Sequence, residues 1–216
     1  MLTVSHDPAA VEFQLFSRTL SCPRCSGSLK PWGFGRERII RYQVPVVNRR
    51  VLPRRARCHQ CQSTHILLPV ALTARRADAA AVIAHAVESS IVSGAGHRKI
   101  AAQLGRPQTT VRGWIRDFRA NAPAILTEFT ARVHRATAES LGFWPTPAPT
   151  AAANALGMLM AHARVLAHHH GAIPGQAPVA NVTWPVAALA GHGPWFFSGR
   201  QRLEAVQHQP ALPQEA

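Results

Sequence analysis

Apolar residues change their spacing along this chain, and the changes mark its elements. Ala79/Ala80, Ile83, Val87 and Ile91 recur at intervals of three and four, which places them on one face of a helix. Gly94-Ala95-Gly96 stops that helix. The pattern predicts a short second helix over about 97–104, ended by Gly105 and Pro107, and a third over about 108–120. Pro123 opens a further helix with Ile125, Phe129, Val133 and Ala136 on one side. Leu156, Leu159, Ala163 and Leu166 form a last stripe. It alternates three and four as a coiled-coil seam does, over fewer heptads than a coiled coil needs. Packing against the helix of residues 124–140 is the expectation, with dimerisation the second reading.

Before residue 73 the pattern is strand-like. Ile39-Ile40 and Tyr42–Val44 read as one strand, Val51-Leu52 and Arg55–Arg57 as a second, and residues 46–50 as the turn between them. Pro45 fits a strand end. His65–Val70 reads as a third strand. The fold class expected is α+β, mostly α. A lead-in occupies 1–17, with a helical turn around Ala9–Phe16. A small β ribbon follows over 18–72, then three helices over 73–122 and a helix over 123–141. Residues 142–150, rich in proline, read as an extended linker. Residues 151–216 read as an Ala-rich helical tail, partly disordered over the last ~45 residues, which glycine and proline punctuate.

Charge sharpens this division. The net charge of +14 distributes as +8 on residues 1–60, +5 on 61–120 and +1 on 121–216. Cationic charge confined to part of a chain points to a polyanion as that part's partner. The 22 arginines against 2 lysines and the abundant alanine indicate a biased genome, but bias alone does not empty one half of charge. No secretory signal is read at the N-terminus. The uncharged stretches Leu141–Ala163 and Gly171–Gly199 are broken by proline, so neither supplies the ~20 apolar residues of a membrane span. A cytoplasmic protein without a membrane partner is expected.

All four cysteines fall in two pairs, Cys22-Pro-Arg-Cys25 and Cys58-His-Gln-Cys61. Each C-x-x-C closes a tight knuckle whose amides can hydrogen-bond thiolates, and two knuckles supply four sulfurs to a tetrahedral Zn²⁺. The 32 residues between the pairs exceed the usual gap, and a long hairpin over Arg36–Arg57 accounts for them. Two disulfides or two redox pairs are the alternative, but a redox C-x-x-C heads a helix in a βαβ setting that is missing here. His59 and His65 are substitute ligands for one thiolate. Four protein ligands leave no position for water or substrate, so the zinc is expected to be structural. The hairpin also carries Arg36, Arg38, Arg41, Arg49, Arg50, Arg54, Arg55 and Arg57. With few acids nearby these read as a phosphate-gripping surface, and Arg54, Arg55 and Arg57 are the candidates to contact DNA.

The stretch His97–Phe118 partitions cleanly. Ile100, Ala101 and Leu104 are the buried side of its first helix, and Ala101 lets the next helix cross closely. Gly105 suits a left-handed turn. Val111, Trp114, Ile115 and Phe118 form the inner face of the next helix. Gln108, Thr109, Thr110, Arg112, Gly113 and Arg116, with Arg98 and Lys99 on the preceding helix, are the candidates for DNA contact. Ala101, Gly105 and Val111 match the pattern of the helix-turn-helix in bacterial transposases and regulators. A zinc ribbon followed by such a unit resembles the N-terminal DNA-binding part of insertion-sequence transposases. The chain is similar to an uncharacterised family of high-GC bacteria with this layout, over about residues 20–120. The resemblance implies double-stranded DNA as partner, with a transposase or a second copy of the chain as a further one.

Catalytic machinery is not legible. After residue 121 the acids are Glu128, Glu139, Glu204 and Glu215, without one Asp, so the carboxylate cluster of two-metal nucleases is missing. No phosphate loop and no G-x-S-x-G occurs. His168-His169-His170 reads as surface decoration, since consecutive side chains diverge on a helix. The sequence thus leads to a zinc-stabilised, sequence-specific DNA-binding protein that is not an enzyme, acting as a regulator or transposition accessory factor. A catalytically incomplete recombinase partner, or a ribbon that binds protein or RNA, is the alternative.

Overall fold

The protein is described by a computed structural model over residues 1–43, 47–136, 140–170 and 182–198. Its first third is built on strands β1 (Leu2–Val4), β2 (Leu29–Phe34), β3 (Arg38–Arg41), β4 (Asn48–Val51), β5 (Arg54–Cys58) and β6 (Thr64–Pro69), with helix α1 (Pro8–Phe16) after the first. Four of them form a sheet in the order β1-β6-β5-β2, and β3 pairs with β4 alone. Asp7 caps α1, its Oδ1 accepting from the amide of Ala9 at 2.9 Å, and Pro8 occupies the first turn, where its missing N–H costs nothing. Val11 and Leu15 then pack with Val4, Leu29, Ala56 and Leu67 in a small core that includes Cys22 and Cys58.

Several expectations change here. Residues 1–17 are no lead-in: Leu2–Val4 runs parallel to Leu67–Pro69 as an edge strand. The strand expected through residues 51–57 breaks at Leu52-Pro53, so β4 pairs with β3 while β5 pairs with β2 and β6. Strand β2 is not among the strands expected, and it forms across Pro31 and Gly33. It carries a bulge between Pro31 and Phe34, with Gly33 at φ +73°, a conformation that favours glycine. Of the turn expected at 46–50, residue 46 lies outside the described residues, and Asn48, Arg49 and Arg50 belong instead to β4, paired with β3.

The rest is helical: α2 (Ala80–Val92), α3 (His97–Leu104), α4 (Gln108–Ala136), a 3-10 turn (Ser140–Phe143), α5 (Ala151–His170) and α6 (Trp184–His192). The two helices expected on either side of Pro123 are one helix. Val111, Ile115, Phe118, Ala122, Ile125, Phe129 and Val133 are all buried along it, an unbroken seam at spacings of three and four. Proline inside a helix costs about 3 kcal/mol, whereas each large apolar side chain buried returns about 1.5–3 kcal/mol. The seam therefore carries the helix through, with the Pro123 ring exposed.

Nor is the C-terminal part a tail. Leu156, Leu159, Ala163 and Leu166 of α5 and Trp184 and Leu189 of α6 join the same core as α2, α3 and α4, so the last stripe packs inward on α4 as expected. The Pro-rich segment is strapped down: the Asn154 side chain accepts from the Ala148 amide and donates to its carbonyl, both at 2.8 Å, and Arg164 donates to Phe143 O at 3.2 Å. Thr73 Oγ1 and the Arg76 guanidinium donate to the carbonyls of Pro194 and Phe197 at 2.9 and 2.8 Å. The disorder expected near the C-terminus concerns residues 171–181 and 199–216, outside the described residues, whereas Trp184–His192 is helix. Among the described residues no helix is long and apolar enough to cross a membrane.

Candidate metal centre and nucleic-acid interface

The two cysteine knuckles are conformational copies of each other. In each, the residue after the second cysteine, Ser26 or Gln62, takes a left-handed backbone at φ +59° or +58°. The chain then returns: Cys22 N donates to Gly27 O at 2.8 Å, and Cys58 N to Ser63 O at 2.9 Å. This curls the thiols of each pair inward. All four Sγ atoms lie within 4.8 Å of one another, with Cys22 to Cys61 at 3.7 Å and Cys25 to Cys58 at 3.4 Å. A tetrahedron of sulfurs ~2.3 Å from a central ion has edges of about 3.8 Å. The cysteines are free thiols rather than disulfides, and their spacing fits a bound metal ion.

Backbone and side-chain donors point at the sulfurs. The Arg24 amide reaches Cys22 Sγ at 3.4 Å. The hydroxyl and amide of Ser63 hold the Cys61 thiol down at about 6. The Gly27 amide pulls on Cys25 likewise, but its contacts with Cys58, burial and the other two sulfurs outweigh it and leave that thiol at about 11. Four crowded sulfurs cannot all ionise without a cation among them. His65 lies outside the four-sulfur set. It is buried, with Nε2 3.3 Å from Cys22 Sγ, and burial followed by the nearby N-terminal ammonium lowers its pKa. A neutral His65 protonated on Nε2 donates to the Cys22 sulfur and supports that ligand. His59 is exposed and takes no place in the cluster.

The arginines of the strands divide in a way the sequence did not reveal. Arg38 is half-buried and donates to the carbonyls of Thr73 and Arg76. Arg41 is bound to Asp78, and Arg54 to Glu12, each at 2.6 Å. Arg54 also covers the Phe34 ring, 4.6 Å from its centroid. Acids that looked too few are thus placed where they count, and Arg54 is engaged on the α1 side of the sheet. Arg55 and Arg57 lie on the opposite face of β5, where Lys30 is paired with Arg57 and the Trp32 ring sits 4.6 Å beneath its guanidinium.

Around α3 and α4 the partition is the one expected. Gly105 ends α3 at φ +61°, ψ +41°, its amide bonding back to Ala101 and Ala102. Ile100, Ala101, Leu104, Val111, Trp114, Ile115 and Phe118 are buried. Gln108, Thr109, Arg112 and Arg116 are exposed, as are Arg98 and Lys99. Thr110 is half-buried, on the flank. A Cβ built on Gly113 would meet nothing within 4 Å. A groove of about 650 Å³ runs between the Gly94–His97 turn and the ridge of Arg112, Arg116 and Arg119. Arg116 bonds its neighbour Asp117 at 3.0 Å and Arg119 donates to Ser90 Oγ at 3.2 Å.

The residue that sequence reasoning missed is Asp78. It is 3% exposed and receives Arg41 on one oxygen and Arg106 on the other. A lone acid two positions after Arg75-Arg76, in a stretch otherwise cationic, is the signal that could have singled it out.

Comparison with known proteins adds one match. A family model described as a domain of unknown function (DUF6431) matches residues 22–114. No curated protein and no solved structure matches the chain. The matched stretch begins at the first cysteine of the cluster and ends at Trp114, on the buried side of α4, so it carries the four sulfurs, the Asp78 bridge and the turn at Gly105 together.

Proposed function

We propose that this is a double-stranded-DNA-binding protein of the helix-turn-helix kind, stabilised by one structural Zn²⁺ on Cys22, Cys25, Cys58 and Cys61. The observation that carries this reading is the first two turns of α4. Their inner side is locked in the core while Gln108, Thr109 and Arg112 stand exposed beside an open glycine flank. Side chains of this kind pair with base edges: Gln with adenine, Arg with guanine. Arg98 and Lys99 on α3 and Arg116 and Arg119 further along α4 suit the phosphates on either side. The face of β5 that carries Arg55 and Arg57, with Lys30 and Trp32, adds a second cationic surface for the backbone. Zinc is favoured over other ions because four thiolates in a tetrahedron are its commonest structural site and leave no open position.

The working role is a sequence-specific regulator or an accessory factor in transposition. The resemblance to insertion-sequence transposases supports the latter. Selection of binding sites from random duplexes by the full-length, metal-loaded protein is the test. Recovery of one sharp motif supports the reading. Equal, salt-sensitive retention of every sequence would overturn sequence-specific recognition and favour a scaffold for RNA or protein.

A further inference from the structure

Away from both surfaces just described, a cavity of about 550 Å³ opens between α1, the β3–β4 pair and the end of β6. Its volume falls in the range of small-molecule sites, roughly 300–1,000 Å³. The floor is apolar and tightly held: Val4, Val11, Leu67 and Leu72 line it and are each 6% exposed or less. Two large apolar side chains at its mouth, Phe34 and Leu52, are 55% and 53% exposed. Apolar surface left open at a cavity mouth, rather than scattered singly, is what a ligand covers.

Arg49, Arg50 and Arg54 are among the residues that line the cavity. Arg54 is held by Glu12, and Arg50 reaches Glu37 at 3.6 Å in an exposed pair. Arg49 has no carboxylate partner among the described residues. Its guanidinium instead lies 5.3 Å over the ring of Tyr42, another lining residue. Burial, partly offset by the Arg49 charge, raises the Tyr42 pKa, so the phenol stays neutral and offers an O–H and an aromatic face. A guanidinium fork above an aromatic wall, over an apolar floor, matches a ligand with a carboxylate at one end and a flat or branched hydrocarbon body at the other.

We infer that this cavity binds a small amphipathic carboxylate, with Arg49 taking the carboxylate and Tyr42 bordering its apolar body. The site stands apart from the proposed DNA contacts and does not depend on them.

The chain has a single tyrosine, so ring-¹³C-tyrosine gives one reporter in the cavity wall. Titration of the full-length protein with 2-naphthoate should shift the Tyr42 signals saturably. The cationic isostere 2-naphthylmethylamine should fail to do so. Arg49 is exposed on β4, so its replacement leaves the fold intact, which an unchanged melting temperature confirms. Arg49→Glu should weaken naphthoate binding by at least about tenfold, since it replaces the carboxylate's charge-assisted donor with a like charge, and Arg49→Lys should weaken it less. The proposal is overturned by the absence of a saturable shift at millimolar naphthoate, by equal binding of the cation, or by an Arg49→Glu protein that binds as the parent does.

Discussion

Arg106 Nε and Asp78 Oδ1 lie 2.6 Å apart, with the two side chains only 10% and 3% exposed. The second carboxylate oxygen holds Arg41 at the same distance, and Arg41 is bonded through its backbone to Ala77 and Ala79. One carboxylate therefore ties the strand pair β3–β4 to the turn between α3 and α4. Asp78→Asn keeps the shape and removes the charge that both guanidinium groups face. Breaking a buried pair by removing one partner costs about 3–5 kcal/mol, and because Arg41 is 40% exposed the lower end is expected, about 3 kcal/mol. Urea denaturation measures it. A loss under about 1 kcal/mol would mean that water solvates both arginines, and the bridge would not be what holds the two parts together.

Metal analysis of freshly purified protein should give close to one zinc per chain. Cobalt exchanged into the site should show the absorption of a tetrahedral thiolate centre, because the four sulfurs are spaced for that geometry. Cys25→Ser should lose the metal. Two of the thiols, Cys22 and Cys58, belong to the small core under the sheet, so chelation should speed amide exchange in β1, β2, β5 and β6 before it affects α4. Protein isolated with two intact disulfides and no metal would refute the site.

Gly113 separates the cost of folding from the requirement of function. A methyl group there meets nothing, and alanine is a better helix former than glycine by about 0.5–1 kcal/mol. Gly113→Ala should therefore leave the melting temperature unchanged or raise it, while weakening binding to the selected duplex if the proposed docking brings this flank of α4 against the groove. If binding is also unchanged, this flank of α4 does not approach the groove.

Arg112→Ala should cost about 1–3 kcal/mol on the preferred duplex and little on a scrambled one. Lys99→Ala should weaken both alike and flatten the salt dependence. Titrations on both duplexes at two salt concentrations compare the mutants. Parallel losses for Arg112→Ala would make it a phosphate contact and shift sequence reading elsewhere.

His162 gives the helical core a pH dependence. It is 5% exposed, lies edge-on to Phe129 at 5.3 Å, and has Nδ1 without a partner. Burial first, then the charge of Arg132, against a smaller pull from Glu128, lowers its pKa to about 4. Between an unfolded value near 6.5 and about 4 the unfolded chain binds the proton and the folded chain does not, so stability falls as the pH is lowered through that window. At about 1.4 kcal/mol for each tenfold change in proton affinity, the loss approaches about 3 kcal/mol. Denaturation at pH 7.5, 6 and 5 should show this slope in the parent and a flatter one in His162→Leu. Identical slopes would place the titrating group elsewhere.

Much of this molecule follows from local pattern. The end of α2 before Gly94, the bounds of α3, the start of α4 at Gln108, the left-handed turn at Gly105, and the two faces of α4 come from 3.6-residue periodicity and from glycine's freedom, both local properties. The gathering of four thiols was legible for the same reason: each C-x-x-C closes its own knuckle, whatever surrounds it. What the sequence by itself could not settle was which acid meets which base and which strand meets which. The edge pairing of Leu2–Val4 with Leu67–Pro69, the engagement of Arg38, Arg41 and Arg54 by carbonyls and carboxylates from other elements, and the bridge at Asp78 are contacts between residues 28 or more positions apart. Periodicity carries no record of such pairs. The same limit applies at Pro123, where local chemistry ends a helix and a seam buried by α5 and α6 carries it on. Local pattern set the shapes of the elements and the thiol cluster. Tertiary packing decided which cations stay exposed, because charge in a folded chain is neutralised by neighbours in space.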